Sequence, residues 1–401
     1  MKILIVSQYY YPEQIQINEI APELVRRGHE VTVVCGMPNY PKGKYFAGYE
    51  DNKRREERID GVKVIRTPQK ARGQGKLSLL RNYYTFRRNA NKEIDRQEGN
   101  FDLVLAYQLS PVTSSLPAIR YKEKHGVPVL LYCLDIWPES AKSHLGDKFG
   151  WLYGYVRKLS KKVYQNCDKI LVTSRPFIEY LSRENDVAPE RFGYLPQHAD
   201  ASWLDMDLTA EDNGVADFMF AGNIGKGQHL ETLVEAAELL GKSEKYKIHI
   251  VGDGSRREAV ENLVNEKGLE SQFVFYGNQK RADMPEYYKK ADVMLILLRQ
   301  INAVGLTMPG KLQAYMTLRK PIMGTINGAA KEVIEEAHCG SSMPAQDAQS
   351  LAAIMRHYIE HPRDYEGCGE RAERYFKKHF TLQKYMDGLE AAMNELIKNK
   401  K

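Results

Sequence analysis

The chain has no run of eighteen apolar residues, no glycine fingerprint after its first apolar stretch and no paired cysteines. Each absence removes a class of protein. Without the first there is no transmembrane helix. The opening MKILIVSQYYYPE has an apolar region too short for a secretory leader and soon meets a proline. Bulky tyrosines stand there where GxGxxG would need glycines, which argues against NAD and FAD enzymes. No GxxxxGK followed by Ser or Thr occurs, so a P-loop is excluded. The five cysteines, Cys35, Cys133, Cys167, Cys339 and Cys368, are scattered and odd in number. Neither a disulfide scaffold nor a zinc site is expected, and a reducing compartment is. Carboxylates and histidines show no ligand spacing. The one DxD, Asp205-Met206-Asp207, lies outside the glycine-rich loops, so no metal and no cofactor are expected.

What is present fits a two-domain enzyme. At 401 residues and 43% hydrophobic content the chain can fill two cores. A net charge of +6 permits anionic partners without naming them. Short apolar runs alternate with amphipathic helices throughout. The first half offers strands at Lys2–Ser7, Glu30–Cys35, Val62–Arg66, Leu103–Tyr107, Val127–Tyr132 and Lys169–Thr173. The second offers Phe218–Ala221, Lys247–Val251, Phe273–Tyr276, Val293–Leu298 and Pro321–Thr325. Ile17, Ile20, Ala21 and Leu24 mark one helix face, and Leu230, Leu233, Val234 and Ala237 another. Such alternation predicts α/β architecture: two Rossmann-like, doubly wound domains with parallel sheets. Periodicity stops around Gln197–Gly214, an acidic, turn-rich stretch that reads as the junction. The domains then span 1–200 and 215–380, and 381–401 form a C-terminal helix packing back on the N-terminal domain.

Doubly wound domains bind ligands beyond the carboxyl ends of their strands. Gly222, Asn223, Gly225, Lys226 and Gly227 lie between a strand and a helix. Gly222 and Gly225 let backbone amides approach a ligand, although the pattern alone also fits a flexible turn. Gly252-Asp253-Gly254 and Gly277-Asn278 follow two further strands. In GLTMPGKLQAYMTLRKPIM, Pro309 and Gly310 lead into a helix whose first turn carries Lys311. A cation there opposes the helix dipole and makes sense beside an anion. The bland reading is a surface lysine. Three glycine loops beside Lys311 favour a phosphate-bearing ligand.

These segments resemble a known family. FAGNIGKGQHLETLVEAA, IVGDGSRREAV, FVFYGN and LTMPGKLQAYMTLRKPI occur in the order expected of GT-B glycosyltransferases of family 4. YYYPE, RRGHEVTVV and LDIWPES match its N-terminal half. The similarity spans nearly the whole chain and resembles the bacterial capsule and O-antigen branch of L-fucosamine (N-acetylfucosamine) transferases.

The resemblance implies an acceptor-binding N-terminal domain and a UDP-sugar-binding C-terminal domain. Gly222–Gly227 and Lys311, with Gly252, Met308, Pro309 and Gly310, would hold the donor diphosphate. Asn223 stands near the family's usual Arg and Gln228 near its Lys, so Lys226 is the substitute cation. Gly277 and Asn278 would border the base. The family's E-x7-E pair is altered: the second Glu falls on Gln313 and the first near Gly305. Anchoring on Pro321 would shift the second to Ala314. Gln313 can still bond a hydroxyl but carries no charge. Glu13 and Asp135 are the acidic candidates of the N-terminal half. Asp135 would orient the acceptor hydroxyl or stabilise positive charge at the anomeric carbon, and a helix N-cap is its alternative. The family is retaining, so the departing diphosphate can assist deprotonation and Lys311 would stabilise it. His198 is a candidate cleft or hinge residue, and His29 reads as structural.

Lys76–Lys92, KLSLLRNYYTFRRNANK, has five cations, no acid, and leucines and tyrosines between them. It suits an anionic bilayer interface, or is an ordinary helix with one core face. A similar stretch, with Leu152, Tyr155, Val156, Leu159 and Val163 on one face, reads as a core helix. No nucleic-acid module is visible. The implied activity is a UDP-sugar-dependent hexosyltransferase. It would move an N-acetylhexosamine such as N-acetylfucosamine to a lipid-linked saccharide, peripheral on the cytoplasmic face of a bacterial membrane. A UDP-sugar epimerase of GT-B shape and a weakly active partner subunit are the rivals.

Overall fold

The computed structural model describes residues 1–50, 53–73, 75–141, 150–299 and 307–398. Met1–Leu195, joined by the chain from Met386 onward, forms one unit, and Pro196–Tyr385 forms the other.

The first unit is an eight-stranded sheet flanked by helices. Its strands are β1 (Lys2–Val6), β2 (Glu30–Gly36), β3 (Glu56–Ile59), β4 (Val62–Thr67), β5 (Leu103–Gln108), β6 (Val129–Cys133), β7 (Lys169–Val172) and β8 (Phe192–Tyr194). Its helices are α1 (Ile17–Arg26), α2 (Lys76–Arg96), α3 (Leu116–His125), α4 (Gly150–Asn166) and α5 (Pro176–Asn185). The strand order is β3-β4-β2-β1-β5-β6-β7-β8, so direction of travel reverses between β1 and β5. Central strands read as unbroken apolar runs because both sheet faces are covered: Ile3 to Val6 and Leu103 to Ala106 are all buried. On α1, Ile17, Ile20, Ala21 and Leu24 are buried at helical spacing. Among the described strands only β3 runs antiparallel, against β4. Parallel pairing was expected throughout. β3 escapes the hydrophobic pattern because it is an edge strand, EERI, with alternate residues exposed.

The second unit has strands β9 (Ala216–Ala221), β10 (Tyr246–Val251), β11 (Phe273–Gly277), β12 (Val293–Leu297), β13 (Ile322–Thr325) and β14 (Gly340–Met343). The order is β11-β10-β9-β12-β13-β14, and every pairing is parallel. Its helices are α6 (Glu231–Leu240), α7 (Arg257–Glu266), α8 (Met284–Tyr288), α9 (Gly310–Met316), α10 (Ala329–Ala337), α11 (Ala348–Glu360) and α12 (Cys368–His379). Phe218 and Phe220 of β9 face one apolar layer with α6, α7 and α11. Met219 and Ala221 face the other with α9, α10 and α12.

The stretch after Leu195 is no linker. Trp203, Leu204 and Leu208 are buried in the second core, so the boundary falls at Leu195/Pro196. The periodicity was lost because this segment has irregular backbone, not because it lacks a core. The last helix, α13 (Leu382–Lys398), belongs from Met386 to the first unit. Arg27 of the α1 C-terminus donates to Asp387 (2.9 Å) and Glu390 (2.7 Å), and His29 pairs with Glu390 at 2.7 Å. His29 is therefore structural.

Candidate active site

The candidate residues fall into two clusters, one in each unit. In the second unit the strand order reverses between β9 and β12, where an open α/β sheet takes its ligands. Three loops meet there. The Gly222 amide donates to Val251 O (2.8 Å), Ile224 to Asp253 O (2.8 Å) and Gly252 to Gly277 O (2.8 Å). This close approach demands glycine. A Cβ on Gly252, at φ +139, would lie 2.0 Å from Gly222 O, and one on Gly254 would lie 2.4 Å from Ile224 O.

Lys311 rises from the first turn of α9 onto this floor. A Cβ on Gly222 would be 2.8 Å from its Nζ, so glycine at 222 makes room for the lysine. The Nζ sits 3.6 Å from the centroid of the Phe220 ring. It is closed to solvent and, among the described residues, has no hydrogen-bond acceptor. Burial alone pushes its pKa from 10.5 down to about 7. A desolvated lysine with no counter-charge among the described residues is the kind of group that marks a candidate site. The helix is only seven residues long, so the lysine rather than the helix dipole supplies most of the field.

Tyr315 fixes that lysine. It stands one turn further along α9, fully buried, and its hydroxyl accepts from Ala221 N–H and donates to Ala221 O, both at 2.9 Å. The helix is thus pinned to the end of β9, beside Gly222. The sequence reading missed Tyr315. The i, i+4 spacing from Lys311 was the available signal.

Other candidates are placed less directly. Gln228 Oε1 accepts the Gly225 amide at 3.2 Å, so that N–H is already committed within the turn. Among the described residues, the amides of Asn223, Lys226 and Gly227 have no protein acceptor. The Asn223, Lys226 and Asn278 side chains are exposed, while Met308 packs against the core and Pro309 caps α9 ahead of Gly310. Gln313 is buried and donates to Gln197 O at 2.6 Å. That bond commits one of its N–H groups to holding the 196–200 segment to α9. A carboxylate there would face a carbonyl. The neighbouring Ala314 offers no polar group, and Gly305 lies outside the described residues. His198 is buried against Tyr385 within the same unit, with ring centroids 5.2 Å apart. Asp207 accepts the Thr209 amide at 3.1 Å in a local turn.

In the first unit the order reverses between β1 and β5, and the second cluster lies on the loops after β1, β2, β5 and β6. Glu13 is fully buried. Its carboxylate accepts the amides of Tyr10 (3.1 Å), Asn39 (2.7 Å) and Tyr40 (2.7 Å). Burial, opposed by these bonds, raises its pKa from 4.5 to about 7. With no exposed face, Glu13 ties the β1 and β2 loops together. That geometry corrects its casting as a reacting acid. Buried Arg66 supports the same loop by donating to Tyr11 O at 2.6 Å while paired with Glu57.

Asp135 is different. It is part-exposed and held by hydroxyl donors from Ser110 and Ser140. Ser110 also accepts from Trp137 Nε1 at 3.2 Å, and Gln108 donates to Asp135 O at 2.9 Å. Ser110, on the β5 loop, gave no sequence signal of its own. Among the described residues, no group of three or more His, Cys, Asp or Glu could hold a metal ion.

Two Rossmann-like units, one carrying interlocked glycine loops beside a buried lysine, are the architecture of the GT-B class. Residues 14–197 match the model of the glycosyl transferase 4-like domain, and residues 204–375 that of glycosyl transferases group 1. The chain belongs to this family of GT-B glycosyltransferases. It is 24% identical to a putative colanic acid biosynthesis glycosyl transferase, WcaI, of Escherichia coli, over 97% of this chain and all of that one. It is 25% identical to the probable glycosyltransferase WbjE of Pseudomonas aeruginosa, covering 68% and 70% of the two. In structure it is similar to Anabaena HepE in complex with UDP, with a TM-score of 0.68, 13% identity, and 98% and 99% of the two chains covered.

Proposed function

We propose that this chain is a retaining glycosyltransferase that takes a sugar from a UDP donor and places it on a polyprenyl-diphosphate-linked saccharide in capsule or O-antigen synthesis. The single observation that carries the reading is Lys311: a solvent-sealed amine without a partner among the described residues, over glycine loops that touch backbone to backbone. A diphosphate supplies the missing counter-charge. As the donor's glycosidic bond breaks, negative charge grows on the departing UDP, and a fixed cation in a dry site stabilises it more than it does the ground state. The free amides of Asn223, Lys226 and Gly227 add donors, and Lys226 adds charge at the rim.

Asp135, oriented by Ser110 and Ser140, is the polar group for the acceptor hydroxyl. Glu13 is assigned to positioning the loop that frames it. The name of WcaI, a colanic acid biosynthesis glycosyl transferase, supports a polysaccharide setting, and the HepE complex supports UDP. The donor sugar in this proposal is an N-acetylated hexosamine such as N-acetylfucosamine. Among the described residues no helix is long and apolar enough to cross a membrane. The exposed cations of α2 suit peripheral contact with anionic lipid on the cytoplasmic face.

UDP release across a panel of UDP-sugars, with and without a lipid-linked acceptor, tests this. Acceptor-dependent release from one UDP-N-acetylhexosamine is expected. Conversion of a UDP-sugar without acceptor would make it an epimerase, and binding without turnover would make it a partner subunit.

A further inference from the structure

The apolar residues of α2 divide between two surroundings. Phe86, Ala90 and Ile94 enter the core, whereas Leu77, Leu80 and Tyr84 are 61%, 51% and 59% exposed. On α4 the expected core face is likewise split: Val163 is fully buried, but Tyr155 is 53% exposed. These open faces converge on one groove of about 490 Å³. Leu80 and Tyr84 form one wall, Tyr155 and Val156 the other, and Val112 and Trp137 line it between them. Its volume is that of a ligand site, and its lining is predominantly apolar.

Charge marks the occupant. Lys76 and Arg87 belong to the groove lining itself. Among the described residues, none of the five α2 cations from Lys76 to Lys92 makes an ion pair, and no acid lies between them. The groove also runs up to Ser110, the residue whose hydroxyl donates to Asp135. Hydrocarbon surface, two unpaired cations and the hydroxyl that holds the candidate acceptor carboxylate thus line one groove. A flat bilayer face cannot fill a concavity, but one chain drawn from it can.

We propose that this groove seats the hydrocarbon chain of a lipid whose phosphate groups are held by the α2 cations, which places the lipid's head beside Asp135. The proposal rests on the reading of a lipid-linked acceptor made above. It adds a binding site for the tail within the first unit.

The test uses the full chain and geranylgeranyl diphosphate below its aggregation concentration, with inorganic diphosphate as control. Binding is read from Trp137 fluorescence, and Trp137→Phe identifies its signal among the three tryptophans. Saturable binding of the prenyl compound, at least about tenfold tighter than inorganic diphosphate, is expected. Leu80→Glu and Tyr84→Glu, both at exposed positions and so compatible with folding, should each weaken it by about tenfold or more at unchanged melting temperature. Equal binding of the two diphosphates, or unaltered prenyl binding in both variants, overturns the proposal. So does self-association of the parent chain that Leu80→Glu abolishes, which would give the groove to a second copy. Prenyl binding without any sugar transfer leaves the groove and removes the acceptor reading. Transfer to a lipid-linked acceptor with no prenyl binding does the reverse.

Discussion

Lys311 Nζ stands 3.6 Å from the ring centroid of Phe220 and, among the described residues, has no hydrogen-bond acceptor. The two residues come from different elements, α9 and β9, and Gly222 is the gap that lets them meet. The ring face compensates only part of the ammonium's lost hydration. The charged form is therefore disfavoured in the free protein.

Lys311→Met keeps the packing volume and removes the charge. Turnover should fall about 10²-fold or more, the scale of losing one electrostatic donor in a transition state. Melting temperature should be unchanged or higher, because a buried uncompensated amine is removed. Steady-state kinetics and a thermal scan check both. Near-normal turnover would remove Lys311 from the site.

The depressed Lys311 pKa predicts proton uptake on donor binding. At pH 8 the free protein holds this lysine mostly neutral, since its pKa is about 7, and a bound diphosphate recharges it. Calorimetry of UDP binding in buffers of different ionisation enthalpy should show an uptake of nearly one proton, absent in Lys311→Met. The same shift acts on stability. Between pH 7 and 10.5 the unfolded chain binds the proton and the folded one does not, so this group's contribution rises with pH in that window. Glu13 has the opposite sign. Its folded pKa of about 7 exceeds 4.5, so its contribution is fully present below pH 4.5 and is lost as pH rises to about 7.

Tyr315→Phe deletes both hydrogen bonds to Ala221 but keeps the ring. It leaves a buried N–H and C=O without this partner, costing about 1–3 kcal/mol in urea unfolding. Lys311 then loses its anchor, so UDP affinity should fall as well. Unchanged affinity with lowered stability would mean that Tyr315 only supports the fold.

Glu13→Ala strands three buried amides and should destabilise the chain by about 3 kcal/mol or more. Glu13→Gln retains one acceptor oxygen and should cost less. If the Gln variant is as stable as the parent yet inactive, Glu13 takes part in the chemistry after all.

Replacing Arg81, Arg87 and Arg88 together with Glu should weaken binding to phosphatidylglycerol vesicles by several kcal/mol, about 1 kcal/mol for each cation lost near the surface. Co-sedimentation measures it. Unchanged binding would leave α2 without a membrane role.

The sequence by itself determined the elements that carry a strong local signal. Unbroken apolar runs such as KILIV make strands wherever both faces are covered, and glycines between strand and helix mark close backbone approach. Those patterns point to the α/β architecture, the three glycine loops and Lys311, because each depends on neighbours within a few residues. The polar edge strand β3, three-residue β8 and GSSM of β14 were not legible, since pairing rather than composition makes them strands. Nor was the fate of individual polar groups. Glu13 and Asp135 look alike as acids beside tyrosine- and tryptophan-proline segments, yet one is sealed among three amides and the other is held by Ser110 and Ser140 in part-exposed space. Gln313 and Tyr315, two residues apart on α9, go to Gln197 and Ala221. Only tertiary structure decides such cases, because what a buried polar atom does depends on the partners that distant segments bring to it, and those partners are 94 to 116 residues away.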